Sequence, residues 1–203
     1  LDIFFNWFNI ASVRDEKIDG VIRAAIAHLW FEKIHPFDDG NGRIGRAIID
    51  MALSQDEKLS TRFYSLSSIM MEQRKGYYNV LDTVSLGEMD VTVWVEWFLN
   101  CFINAIKTTM SNIEISIQKS RFWQLHAETP LNERQKKVLN KMLNEGVGGY
   151  VGGMTTRKYS GITKVSRATA YRELKDLIEK NCLQPLSEKG RSTSYEIVWP
   201  GVS

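Results

Sequence analysis

The sequence predicts a mainly α protein, on three observations. Apolar residues recur at helical spacing over most of the chain, alternating runs of the strand kind are scarce, and Ser and Thr stand where N-caps belong. A first helical segment covers 2–10. Val21, Ile22, Ala25, Ile26, Leu29 and Trp30 recur at about 3.6 residues, which predicts a largely buried helix over 20–34 that Pro36 stops. Ile44, Ala47, Ile48, Met51 and Ala52 repeat that period over 42–56, so Gly40 and Gly42 fall at a helix N-terminus. A fourth helix is predicted over 67–84, capped by Ser67, with Ile69, Met70, Gln73, Tyr77 and Val80 on one face. The fifth, over 91–126, carries a stripe of Trp94, Trp97, Phe98, Cys101, Phe102 and Ala105, read as core or as a subunit contact that would make a homodimer.

Composition sets the class. With 203 residues, 43% of them apolar and 25% charged, the chain can bury a core for one or two domains. Cys101 and Cys182 share no metal-like spacing with the three histidines, so neither a disulfide framework nor a zinc site is expected, and a reducing cytoplasm fits. No run of 18 apolar residues occurs, and the aromatic start Phe4-Phe5-Asn6-Trp7-Phe8 lacks a cationic leader, so no membrane association is expected. Because the chain begins at Leu1 and not Met, it is read as a fragment.

Charge is unevenly placed. Residues 133–203 hold 13 Lys and Arg against 7 Asp and Glu, whereas the chain as a whole carries +2. That shift, at Glu128-Thr129-Pro130-Leu131-Asn132, divides the chain into 1–129 and a basic module over 130–203. The module reads as a helix over 133–144, a glycine-rich link at Gly146, Gly148, Gly149, Gly152 and Gly153, then two helices with Thr155 and Ser166 as caps and Gly161 as the turn. Ala170, Tyr171, Leu174, Leu177 and Ile178 would face inward, and 183–186 with 194–198 would form a hairpin around Lys189-Gly190. The pattern resembles a winged helix-turn-helix domain. Arg167, Arg172, Lys175 and wing Arg191 would then meet DNA phosphates, or the module would bind a partner protein.

The stretch with chemistry in it runs from His35 to Arg46: His-Pro-Phe-Asp-Asp-Gly-Asn-Gly-Arg-Ile-Gly-Arg. A helix N-terminus presents unpaired N–H groups and partial positive charge, so anions bind there. Gly40 and Gly42 let a phosphate approach, and Arg43 and Arg46 leave the same first turns three residues apart. His35 can exchange a proton near neutral pH, and Asp38 and Asp39 offer the hard oxygens Mg²⁺ prefers. The glycines also satisfy G-x-G-x-x-G, but no strand precedes them in a βαβ unit, so that dinucleotide reading is rejected. The second glycine cluster lacks the Lys-Ser/Thr of a P-loop and is read as a turn. His28, mid-helix, is read as a core hydrogen-bonding residue.

This run resembles the loop of Fic-domain proteins, His-x-Phe-x-(Asp/Glu)-Gly-Asn-Gly-Arg-x-x-Arg, at every fixed position. The similarity extends to Ala25, Ala27 and His28 upstream and to Arg74, Tyr77, Tyr78 and Leu81 downstream. It implies a Fic-like helical bundle followed by the winged helix, acting as a protein adenylyltransferase that moves AMP from ATP to a Ser, Thr or Tyr hydroxyl of a target protein, or of itself. By the resemblance His35 is the general base, Asp39 holds Mg²⁺, Asn41 with the Gly40 and Gly42 amides grips the α-phosphate side, and Arg43 and Arg46 take the β- and γ-phosphates. Tyr77 and Tyr78 lie by the nucleoside, and Phe37 anchors the loop in the core. Two alternatives stay open: a DNA-binding regulator that senses nucleotide through this region, and a related enzyme with another donor or with AMP-removing activity. Family members carry a β-hairpin flap upstream and often an inhibitory Ser/Thr-x-x-x-Glu-Gly/Asn helix. Neither is found in these residues, so target positioning and regulation are expected upstream or in a partner.

Overall fold

The computed structural model describes residues 1–11, 18–57, 62–86, 90–186 and 193–201. These form two compact units, Leu1–Thr109 and Met110–Ser203. The division falls inside the longest helix, so the compositional change near 129 and the change in packing do not coincide.

Every regular element among the described residues of the first unit is a helix. A short helix, α1 (Asp2–Asn6), runs into a π-helical turn at Trp7–Ala11. Then come α2 (Gly20–Ile34), α3 (Asn41–Glu57), α4 (Leu66–Glu72), α5 (Arg74–Leu86) and α6 (Thr92–Leu125), the last ending in the second unit. Asp19 caps α2 by accepting the N–H groups of Val21 and Ile22. The helix is enclosed: Ala24, Ala25, Ala27, His28, Leu29 and Phe31 are all buried, against Phe4, Phe8, Ile49, Leu53, Trp94 and Phe98. Trp94 Nε1–H donates to the Ala25 carbonyl at 2.8 Å, which satisfies a buried indole.

The partner that matters for the site is α3. Gly20 lies against Asp56, buried Arg23 donates to the Ala52 carbonyl at 2.7 Å, and Gly45 lies against His28 and Glu32. Contacts that rise along one helix as they fall along the other define an antiparallel pair, and the His35–Gly40 loop closes it.

Two expectations are corrected. The helix expected over 67–84 is two: Gln73 leaves α geometry (φ −96°, ψ 26°) between α4 and α5. Its N-cap is Ser65, not Ser67, because Ser65 Oγ accepts the Ser68 N–H while Leu66 is already buried. The aromatic stripe of α6 is core, one of its two expected readings, with Trp94, Phe98, Cys101 and Ala105 buried and Trp97 and Phe102 packed against them.

The second unit packs α7 (Glu133–Leu143), α8 (Thr156–Thr163) and α9 (Arg167–Glu179) with an antiparallel pair, β1 (Leu183–Pro185) and β2 (Tyr195–Ile197). Asn132 and Gln135 form a reciprocal capping box on α7, and Thr155 and Ser166 cap α8 and α9 as expected. The turn between α8 and α9 is made by Lys164 in the left-handed region (φ 59°), not by Gly161, which lies within α8. Tyr171 points outward, 53% exposed, while Ala170, Leu174 and Leu177 are buried. At the centre, Glu173 accepts from Asn132, Arg134 and the Tyr159 hydroxyl. The expected Lys189-Gly190 tip lies outside the described residues.

Candidate active site

The loop begins where α2 ends. His35 caps α2 in the left-handed region (φ 46°, ψ 57°), donating its N–H to the Phe31 carbonyl at 3.0 Å. This conformation is uncommon for a residue with a Cβ and more so before proline, and it leaves the imidazole exposed at the end of the helix. Gly40 follows with φ 93°, the second turning point, which a side chain would strain.

The loop is locked by Asn41, which is buried. Its Oδ1 accepts the Phe37 N–H at 3.1 Å and its Nδ2 donates to the Phe37 carbonyl. The side chain expected to grip phosphate is therefore engaged with the loop's own main chain. Phe37 is anchored through its peptide groups and through its ring, which packs 6.4 Å from that of buried Phe31 although the residue is 48% exposed. The hydrogen bonds of α3 start with the Arg43 and Ile44 N–H groups on the Gly40 carbonyl, so the Asn41 and Gly42 N–H groups precede the helical pattern.

Around that N-terminus stand the charged groups. Asp39 accepts the Gly40 N–H at 2.7 Å and pairs with Arg43 at 3.0 Å; both side chains are largely exposed. Arg46 Nη1 comes within 3.4 Å of where a Gly42 Cβ would lie. Both arginines thus flank one helix terminus, as the sequence places them. Among the described residues no three His, Cys, Asp or Glu converge as a metal cage. Asp39 is exposed with its carboxylate paired to Arg43, and a single carboxylate of this kind would hold Mg²⁺ only jointly with phosphate and water.

Behind the loop lies a buried polar group that the sequence reading only half anticipated. His28 Nε2 bonds the Tyr77 hydroxyl at 2.9 Å, and burial pushes the His28 pKa down to about 4, so the ring is neutral. Burial likewise raises the Tyr77 phenol. Tyr77 is packed against Trp94 and Trp97, whereas Tyr78 is 49% exposed with the Arg74 guanidinium 5.6 Å over its ring. Glu32 was not singled out from the sequence. Its Oε1 is buried without a hydrogen-bond partner and meets the same point beneath Gly45 as the His28 ring, at 2.6 and 2.8 Å from a Cβ placed there. Desolvation raises the Glu32 pKa against the opposing charges of His35 and Arg46. The available signal was that His28 and Glu32 stand four apart in a mostly apolar helix.

In the second unit, Arg167, Arg172 and Lys175 are exposed on α9. Arg191 lies outside the described residues. No helix is long and apolar enough to cross a membrane among the residues described.

With this geometry in place, comparison with known proteins is informative. Residues 1–53 match the Fic/DOC family. A probable protein adenylyltransferase of Aquifex aeolicus is 36% identical over 115 residues, covering 52% of this chain and 34% of the relative. The protein adenylyltransferase fic-1 of Caenorhabditis elegans is 31% identical over 113 residues, 53% of this chain and 21% of the relative. Its Caenorhabditis briggsae counterpart is 29% identical over 146 residues, 69% of this chain and 25% of the relative. The matched stretch spans about a third or less of each of these relatives. The loop, α2 and most of α3 are thus similar to the Fic/DOC family, and these three relatives are named as protein adenylyltransferases, the Aquifex one as probable.

Proposed function

We propose that the first unit is the catalytic part of a protein adenylyltransferase that transfers AMP from ATP to a hydroxyl side chain of a protein. The observation that carries this is the His35–Arg46 loop. One exposed imidazole, two exposed carboxylates and two arginines lie in the loop and the first turns of α3, in a stretch similar to adenylyltransferases.

The Gly42 and Asn41 N–H groups and the end of the α3 dipole seat the phosphates, with Arg43 and Arg46 on the β- and γ-groups. His35 takes the proton of the target hydroxyl as that oxygen forms its bond to the α-phosphorus. The bond from the α-phosphorus to the bridging oxygen breaks, and pyrophosphate leaves with the electron pair. Asp39 would hold Mg²⁺, which when bound neutralises charge on the phosphates. Asn41 holds the loop so that His35 and the helix terminus keep their spacing. Tyr77 fixes α5 to α2 from within, leaving the exposed Tyr78 ring as the face for the nucleoside.

The test supplies ATP labelled at the α-phosphate, with a lysate as target pool, to the wild type and to His35→Ala. Label on protein with the wild type and its absence with the variant is expected. Equal label with both, or none with either, refutes the assignment.

A second reading concerns the other unit. We propose that it is a winged helix-turn-helix domain: its α8–α9 pair and two-stranded sheet support that reading, and exposed Arg167, Arg172 and Lys175 on α9 favour a DNA backbone as its partner. Binding should then fall steeply with salt, and Arg172→Ala with Lys175→Ala should flatten that slope by about two phosphate contacts. Absence of DNA affinity at low salt removes this reading.

A further inference from the structure

We propose that the second unit holds a separate seat for a small phosphate ester of nucleotide size, in a cleft of about 580 Å³ between α7 and α8. Lys137, Lys141, Tyr150, Lys158, Gly161 and Ile162 line it, so the lining holds three cations and no carboxylate among the described residues.

The three lysines are exposed and close in the fold. Lys137 and Lys141 stand four apart on α7, a like-charge spacing that destabilises a helix. Lys136 and Lys180, on the same unit, have carboxylate partners at 3.1 and 2.6 Å, whereas the ion pairs of the described residues include none for Lys137, Lys141 or Lys158. Lys158 is already ordered: its Nζ donates to the carbonyls of Val151 at 3.0 Å and Gly153 at 2.8 Å, and lies 5.0 Å over the Tyr150 ring. An ammonium has three donors, so one remains for a ligand, with most of its rotamer freedom already lost.

This also gives the second glycine cluster a role. Gly146, Gly148, Gly152 and Gly153 all have positive φ, and the turn they make aims the Val151 and Gly153 carbonyls at Lys158. The volume lies within the range of small-ligand sites. Tyr150 and Ile162 supply apolar wall for a nucleoside, while the three cations answer a dianion. The seat is independent of the adenylyl-transfer reading and differs from the α9 cations.

The test uses the whole chain carrying Arg43→Ala and Arg46→Ala, which removes the loop arginines, and titrates AMP by calorimetry. One binding event is expected. It should weaken at least tenfold on adding Lys137→Ala with Lys141→Ala, both exposed positions. Gly161→Leu should weaken it similarly without changing any charge, because a Cβ there meets no heavy atom within 4 Å and the longer side chain would fill the cleft. No binding in the loop-arginine variant, or binding untouched by both further changes, overturns the proposal. Either failure leaves the His35-dependent labelling result standing on its own.

Discussion

Asn41 and Phe37 form a closed pair: the Asn41 carboxamide accepts the Phe37 N–H and donates to the Phe37 carbonyl, so one buried side chain fixes the loop that carries His35. A carboxamide can do this because it has a donor and an acceptor on one planar group; an aspartate has no donor at neutral pH. Asn41→Asp should therefore lose the bond to the Phe37 carbonyl and bury an uncompensated charge. We expect a loss of about 1–3 kcal/mol in denaturant unfolding. Labelling by the folded fraction should fall at least tenfold, since His35 no longer keeps its place. A variant with wild-type stability and labelling would refute the lock.

Gly45 is required by the approach of α3 to α2. A Cβ there would sit 2.6 Å from Glu32 Oε1 and 2.8 Å from the His28 ring, below any normal contact. Gly45→Ala is expected to lower stability by about 1–3 kcal/mol, despite alanine's better helix propensity. Thermal unfolding reads this directly, and an unchanged or raised midpoint would contradict the packing.

The neutral state of His28 makes the first unit acid-sensitive. Its pKa falls from the ordinary value near 6.5 to about 4 because the buried ring resists charging. The unfolded chain therefore binds a proton that the folded one refuses. Stability from this group is full above the unfolded pKa and is lost as pH falls from about 6.5 towards 4, by roughly 3 kcal/mol. Urea unfolding at pH 7.5 and 4.5 should show the decline, and His28→Phe should flatten it.

Glu173 gives the second unit its own acid limb. The Arg134 guanidinium, with bonds from Tyr159 and Asn132, holds its carboxyl below the usual carboxylate range. A depressed carboxyl stabilises above its unfolded pKa, so this contribution is lost as pH falls below about 4. Glu173→Gln should destabilise at pH 7 by about 1–3 kcal/mol and should weaken that pH dependence. Fluorescence of Trp199, within this unit, offers a probe separate from α2 and α3.

How much could be read in advance differs between neighbouring residues. The helix over 20–34 is bounded as its apolar period predicts, because periodicity, Asp19 and Pro36 all act locally. The break at Gln73 has no such mark: two helices meet there because Ile69, Met70 and Tyr77 must all reach one core. Thr155 and Ser166 cap as expected since a cap needs only its own next three residues. Gly161 did not make the turn, because Lys164 could adopt the left-handed conformation just as the helix ended.

By itself the sequence determined the mainly helical class, the two helices flanking His35–Arg46 and the clustering of a histidine, carboxylates and arginines at one helix start. These follow from spacing along the chain, where each residue's neighbours are fixed covalently. Tertiary structure alone decided that Asn41 locks the loop, that Glu32 and His28 meet beneath Gly45, and that Lys158 turns into a cleft with Lys137 and Lys141. Such relationships depend on burial and on contacts between residues distant in the chain, for which local pattern carries no code.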